Sequence, residues 1–193
     1  MKLRSTLEMA LLGLVAQKPQ SGYDLRKTFA TTAMRHYSDS PGSIYPALRR
    51  IEARGWIETT TGRTSLAEPR RRQDYRLTNA GKAALIAWLE LPVSAEDVRM
   101  RQAELMLRFA FMDGNVPRSI TVQFLDQFTQ ELAHYAVESR TKWQHMRDLV
   151  ARAIPGRVPI HTGLLAFEAG IEGMEAHVGW ARRVRAQLRE DVR

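Results

Sequence analysis

Ser40-Pro41-Gly42-Ser43-Ile44-Tyr45-Pro46-Ala47-Leu48-Arg49-Arg50-Ile51-Glu52, followed by Arg54-Gly55-Trp56-Ile57-Glu58, is the segment on which the architecture turns. Ile44, Leu48 and Ile51 recur at i, i+4 and i+7, so one side of a short helix is apolar. Ser43, Tyr45 and Arg49 then fall on the other side. Gly55 stops the helix and a strand-forming run starts directly after it. Pro46 limits the start. Deep in a helix, proline loses a hydrogen bond and clashes with the preceding turn, at about 3 kcal/mol. A start near Gly42 or Ser43 keeps Pro46 close to the first turn; a start at Ser40 puts Pro41 at the first helical position, which suits it equally. Both starts are open in the sequence.

The neighbours of this helix give it a setting. Upstream, Leu3, Leu7, Leu11, Leu14 and Val15 predict a helix over residues 3–17, closed by Pro19. Ser21 reads as the N-cap of a second helix with Leu25 and Phe29 on one face. Downstream, 56–60 and 74–78 are rich in aromatic and β-branched residues and predict two strands. The linker between them holds Gly62, Pro69 and the run Arg70-Arg71-Arg72, a long hairpin with a basic tip. Thr78 caps a further helix running to about Glu90, with Leu85, Trp88 and Leu89 inward. Helix, helix, reading helix and basic hairpin in this order predict a winged helix-turn-helix.

The remainder reads as helical. One helix is expected over residues 96–112, with Leu105, Phe109 and Met112 in register, and another from about Pro117 to Ile154. The last, from about His161 to Glu190, carries Leu164, Phe167, Ile171, Met174, Val178 and Ala181 at heptad spacing, the pattern of a helix packed along another. Arg185 interrupts that seam and Leu188 resumes it. Helices of this length are long for a compact monomer and predict dimerisation. The expected fold class is mainly α with a small β-hairpin. Residues 1–91 would form the winged-helix DNA-binding domain, and 92–193 a helical dimerisation and effector-binding domain.

Charge is distributed unevenly. Residues 1–90 hold 15 Lys and Arg against 8 Asp and Glu, and residues 91–193 hold 14 against 13, so nearly all of the net +8 lies in the first half. A basic half facing an anionic partner points to nucleic acid or a membrane surface. The chain has no cysteine, which excludes disulfides, thiolate zinc sites and a cysteine nucleophile. The apolar run 9–16 is too short to span a bilayer, and Glu8 argues against a secretory signal there. A cytoplasmic protein is expected.

Tyr45 can reach a phosphate or base edge, and Arg49 can pair with guanine or phosphate. Arg70, Arg71 and Arg72 suit the neighbouring backbone or minor groove. Each feature alone would pass for an ordinary solvated surface; their order and the charge imbalance together favour DNA.

Five short motifs, in order, resemble the PadR-type transcriptional regulators: Leu11-Leu12-Gly13-Leu14, Ser21-Gly22-Tyr23-Asp24-Leu25, Gly42 through Glu52, Gly55-Trp56-Ile57, and Tyr75-Arg76-Leu77-Thr78-Asn79-Ala80-Gly81. Glu104 through Phe111 looks like the start of the larger helical C-terminal domain of one branch. The resemblance implies a homodimer with winged helices at its two ends, and a repressor that leaves its operator when a small molecule, aromatic or otherwise, binds. It implies DNA contacts at Tyr23, Ser40, Gly42, Ser43, Tyr45 and Arg49, with the wing arginines on the backbone. The wing departs from the family pattern, because extra residues separate Gly62-Arg63 from Pro69-Arg70-Arg71-Arg72.

In the C-terminal half, Phe109, Arg140 and Trp143 are the candidate effector-binding residues, since an aromatic face beside a cation suits an aryl carboxylate. Aromatics at helical spacing more commonly mean core. Glu168, Glu172 and Glu175, with His161 and His177, share a helix face, but without ligand spacing they read as a charged surface rather than a metal site. No phosphate loop or nucleophile elbow occurs, so no enzyme and no cofactor is expected. The rival readings are a ligand- or drug-binding helical protein, or a protein-interaction adaptor, whose winged helix does not read DNA.

Overall fold

The computed structural model describes residues 5–32, 40–61, 73–153 and 161–190. The chain packs as two compact units. One takes in residues up to Leu91 together with Ala110–Asn115; the other takes in Pro92–Phe109 and the residues from Val116 onward.

The first unit begins with helix α1 (Thr6–Gln17), the two-residue strand β1 (Gln20–Ser21) and helix α2 (Gly22–Thr31). Helix α3 (Pro41–Ala53), strands β2 (Ile57–Thr61) and β3 (Gln73–Leu77), and helix α4 (Asn79–Leu89) follow. The sheet is antiparallel in the order β1-β3-β2, with Ile57 opposite Leu77 and Thr61 opposite Gln73. This is a winged helix-turn-helix. Its core is the apolar side of each helix: Leu11 and Leu12 of α1, Leu25 and Phe29 of α2, Ile44, Leu48 and Ile51 of α3, and Leu85 of α4 are fully buried. Strand β1 pairs Gln20 with Tyr75 and Ser21 with Asp74. At two residues it carries no periodicity for sequence to show. The wing tip, including Arg70, Arg71 and Arg72, lies outside the described residues.

Phe111 and Met112 are buried in this unit although they follow in sequence from the second. The Phe111 ring lies flat against Gly13 of α1, where an added Cβ would come within 2.5 Å of it. Glycine is what lets the ring approach.

In the second unit, the single helix expected over 96–112 is two: α5 (Ala95–Met100) and α6 (Gln102–Ala110). Arg101 leaves the helical path at φ −134° and ψ 30°, and its guanidinium turns back to Asp97 at 2.8 Å. Val98 and Leu105 are both buried and seven apart, so the apolar pattern runs through the break unaltered and hides it. Helices α7 (Arg118–Ala153) and α8 (Thr162–Glu190) form an antiparallel hairpin. Its seam is Phe124, Leu125, Phe128, Leu132 and Ala136 against Ile171, Val178 and Ala181. Arg185, the interruption in the seam, pairs with Asp126 across the hairpin at 2.5 Å. Among the described residues none of α7 beyond Ser139 is buried; Met146 and Leu149 are exposed there, as is Leu165 on α8.

Candidate nucleic-acid interface

Two caps fix the candidate reading surface. At the start of α2, the Ser21 hydroxyl accepts from the Asp24 amide at 3.2 Å and the Asp24 carboxylate accepts from the Ser21 amide at 3.3 Å. A reciprocal cap of this kind holds the first turn, and it presents Tyr23, 59% exposed, with the Arg26 guanidinium 5.5 Å from its ring centre. At the start of α3, the Ser40 hydroxyl accepts from the Gly42 amide at 3.2 Å, with Pro41 as the first helical residue. Of the two starts open in the sequence, the earlier holds. Pro46 therefore stands inside the helix in its second turn, where it leaves the Gly42 carbonyl without its usual helical donor.

Ile44, Ala47, Leu48 and Ile51 bury the inner side of α3. Gly42, Ser43 and Arg49 are exposed on the outer side. Tyr45 is 37% exposed, because the other edge of its ring rests on α2. A Cβ at Gly22 would sit 2.8 Å from Tyr45 Cε1. The Ser-Gly-Tyr sequence thus supplies a cap, a seat for Tyr45 and an exposed phenol in three consecutive residues.

Tyr75 of β3 stands behind this crest. Burial pushes its hydroxyl pKa up, the Glu52 charge and Tyr45 add to that, and Arg49 opposes it. On the other flank of α3, Arg50 Nε donates to Glu8 Oε1 at 2.7 Å and Arg54 Nη1 donates to Glu8 Oε2 at 2.5 Å. The Glu8 side chain is only 4% exposed. Burial raises its pKa, but the two arginine hydrogen bonds and their charges outweigh that and hold it below the ordinary value. The sequence reading missed Glu8, Arg50 and Arg54 as a set. The available signal was a lone carboxylate heading the buried stretch Met9–Val15.

The three candidate effector residues are not brought together. Phe109 is half-buried among aromatic rings of the second unit, its ring centre 5.3 Å from Trp180 edge to face and 6.2 Å from Phe124. Arg140 and Trp143 do meet, with the guanidinium 5.7 Å from the indole and Arg147 5.0 Å from it. Trp143 Nε1 donates to the Leu164 carbonyl at 3.0 Å. Arg140 also holds Glu175 at 3.0 Å and Glu168 at 3.8 Å, so these carboxylates serve an interhelical ion pair. Two open grooves flank this point. One, of about 370 Å3, is lined by residues including Arg140, Glu175 and Arg182; the other, of about 520 Å3, by Thr141, Lys142, His145, Met146 and Phe167. Among the described residues no His, Asp or Glu group is arranged to hold a metal ion, and no helix is long and apolar enough to cross a membrane.

Residues 11–87, nearly the whole of the winged helix just described, match the model of the transcriptional regulator PadR-like family. Over this segment the chain carries the PadR-like pattern. Among its relatives is the negative transcriptional regulator PadR of Bacillus subtilis strain 168, 26% identical over 193 residues, spanning 96% of this chain and 98% of the relative. The likeness therefore includes the C-terminal helices. Bacillus subtilis PadR in complex with operator DNA is a structural neighbour at 25% identity and a TM-score of 0.41, covering 94% of this chain and 98% of that one. Its complex with p-coumaric acid aligns at 22% identity and a TM-score of 0.38, covering 95% of each chain. This PadR-like chain is a DNA-binding transcriptional regulator.

Proposed function

We propose that the protein is a cytoplasmic, homodimeric repressor without enzymatic activity, which binds operator DNA through paired copies of α3 and is released by a small aromatic effector. The observation that carries this reading is the crest of α3. A capped helix buried on one side presents Ser43, Tyr45 and Arg49 together on the other, which suits insertion into a major groove. Tyr23, Ser40 and Gly42 adjoin that crest, and the wing arginines Arg70, Arg71 and Arg72 are assigned to neighbouring phosphates. Residues up to Leu91 are read as the DNA-binding domain and those after it as the dimerisation and effector domain. The exposed Val137, Met146, Leu149 and Leu165 of the α7–α8 hairpin favour packing against a second copy. Arg140 with Trp143 is the effector site we favour for an aryl carboxylate, and Phe109 is assigned a packing role instead.

The test is footprinting on the duplex upstream of the protein's own gene. A protected, near-palindromic site with half-sites about one helical turn or a multiple apart is expected. Uniform weak retardation with no protected site would refute operator reading. Addition of p-coumarate, the acid in the Bacillus subtilis complex, should release the protected site, and an Arg140→Ala variant should need more of it.

A further inference from the structure

Three arginines stand within six residues at the C-terminal end of the reading helix, yet among the described residues only one carries its charge free of an internal carboxylate. Arg50 and Arg54 each take one oxygen of the buried Glu8 carboxylate. Arg49 forms no ion pair among the described residues and lies on the crest beside Tyr45. The spacing makes this division unavoidable, because Arg50 and Arg54 lie four apart on the flank of α3 that meets Glu8 of α1, while Arg49 falls on the outer side with Tyr45. Arg54 is also the residue at which the helix ends, and its guanidinium lies 5.0 Å from the Trp56 ring. Glu8 thus holds the far end of α3 to α1, while Gly22 seats Tyr45 against α2 on the opposite flank.

A carboxylate taken out of water is costly unless it is fully paired. Its cost here is matched by a bidentate arrangement that no apolar residue could supply. We propose that Glu8 is a positioning residue that sets DNA specificity: it withholds Arg50 and Arg54 from phosphates, leaving Arg49 and Tyr45 as the groups α3 offers to base edges. This rests on the operator-reading proposal above. Phosphate contacts raise affinity for every sequence alike, whereas base contacts distinguish sequences. An α3 with all three arginines free would hold any duplex more firmly and tell duplexes apart less well.

The experiment compares the full-length protein with Glu8→Gln and with Glu8→Gln/Arg50→Gln/Arg54→Gln. Fluorescence anisotropy on the footprinted duplex and on a scrambled duplex of equal length is read across a salt series. For Glu8→Gln, tighter binding to the scrambled duplex is expected, with a salt slope steeper by up to about 1.8, the value for two freed cations. The ratio of specific to non-specific affinity should fall about 10-fold. The triple variant should keep the parent slope on both duplexes, because Arg50 and Arg54 touch no phosphate in the parent complex. If Glu8→Gln changes neither slope nor ratio, or lowers affinity at constant slope, the residue is merely structural and the proposal falls. A slope reduced by about 1.8 in the triple variant would also overturn it, by placing both arginines on DNA. Failure of the parent protein to prefer its own duplex would instead reject operator reading itself.

Discussion

Glu8 and Tyr45 show how single side chains here answer to neighbours far away in sequence. The folded Glu8 carboxyl lies below its ordinary value of 4.5. It therefore contributes stability that is fully present above about pH 4.5 and is lost as pH falls through the folded value. Urea midpoints measured from pH 7 down to pH 3 should fall less steeply for Glu8→Gln than for the parent; parallel curves would count against the clamp. Tyr45→Ala and Arg49→Ala belong to the same scale. Each should cost about 1–3 kcal/mol of operator affinity, with loss of discrimination at the base it faces. A gel-shift titration showing unchanged affinity would remove that residue from the reading surface. Gly22→Ala predicts a subtler outcome. The new methyl would displace the Tyr45 ring, so operator affinity should drop while the thermal midpoint stays near that of the parent. An unchanged affinity would show that the seat on α2 does not matter.

At the scale of elements, the buried side of each helix was legible because periodicity records burial directly. Ile44, Leu48 and Ile51 were placed inward from spacing alone, and all three are fully buried. Caps were legible for a related reason, since Ser21 and Thr78 act through backbone amides within their own turn. What escaped is what depends on a partner remote in sequence or on a single backbone angle. Strand β1 exists only through β3, the Glu8 clamp only through α3, and the break at Arg101 is one residue departing from helical geometry inside an unbroken apolar pattern. The candidate effector set shows the same limit. Aromatic and cationic residues were chosen by type, but helix register sets Phe109 against Trp180 and leaves Arg140 beside Trp143. The wing makes a prediction of its own. Replacing Arg70, Arg71 and Arg72 with Gln should flatten the salt dependence of binding by about 0.9 for each phosphate contact removed. An unaltered slope would take the wing off the DNA.

For the molecule as a whole, the α7–α8 hairpin is self-sufficient along one stretch and incomplete along the other. Its packed stretch runs to Ser139, while Val137, Met146 and Leu149 remain open to a partner. Substituting Val137→Glu and Leu149→Glu together should convert a dimer into a monomer by light scattering. Affinity for the full operator should fall with it; a dimer that survives would move the interface elsewhere. The seat of Phe111 on Gly13 has another kind of consequence. Because Ala110–Asn115 returns to the first unit, the polypeptide passes from one unit to the other three times. A fragment cut at Leu91 would carry every residue proposed to read DNA and still lack the Phe111 ring that is buried against its own α1. Such a fragment should express as a leaky, dye-binding domain, and supplying residues 110–115 on a short tether should make it watertight.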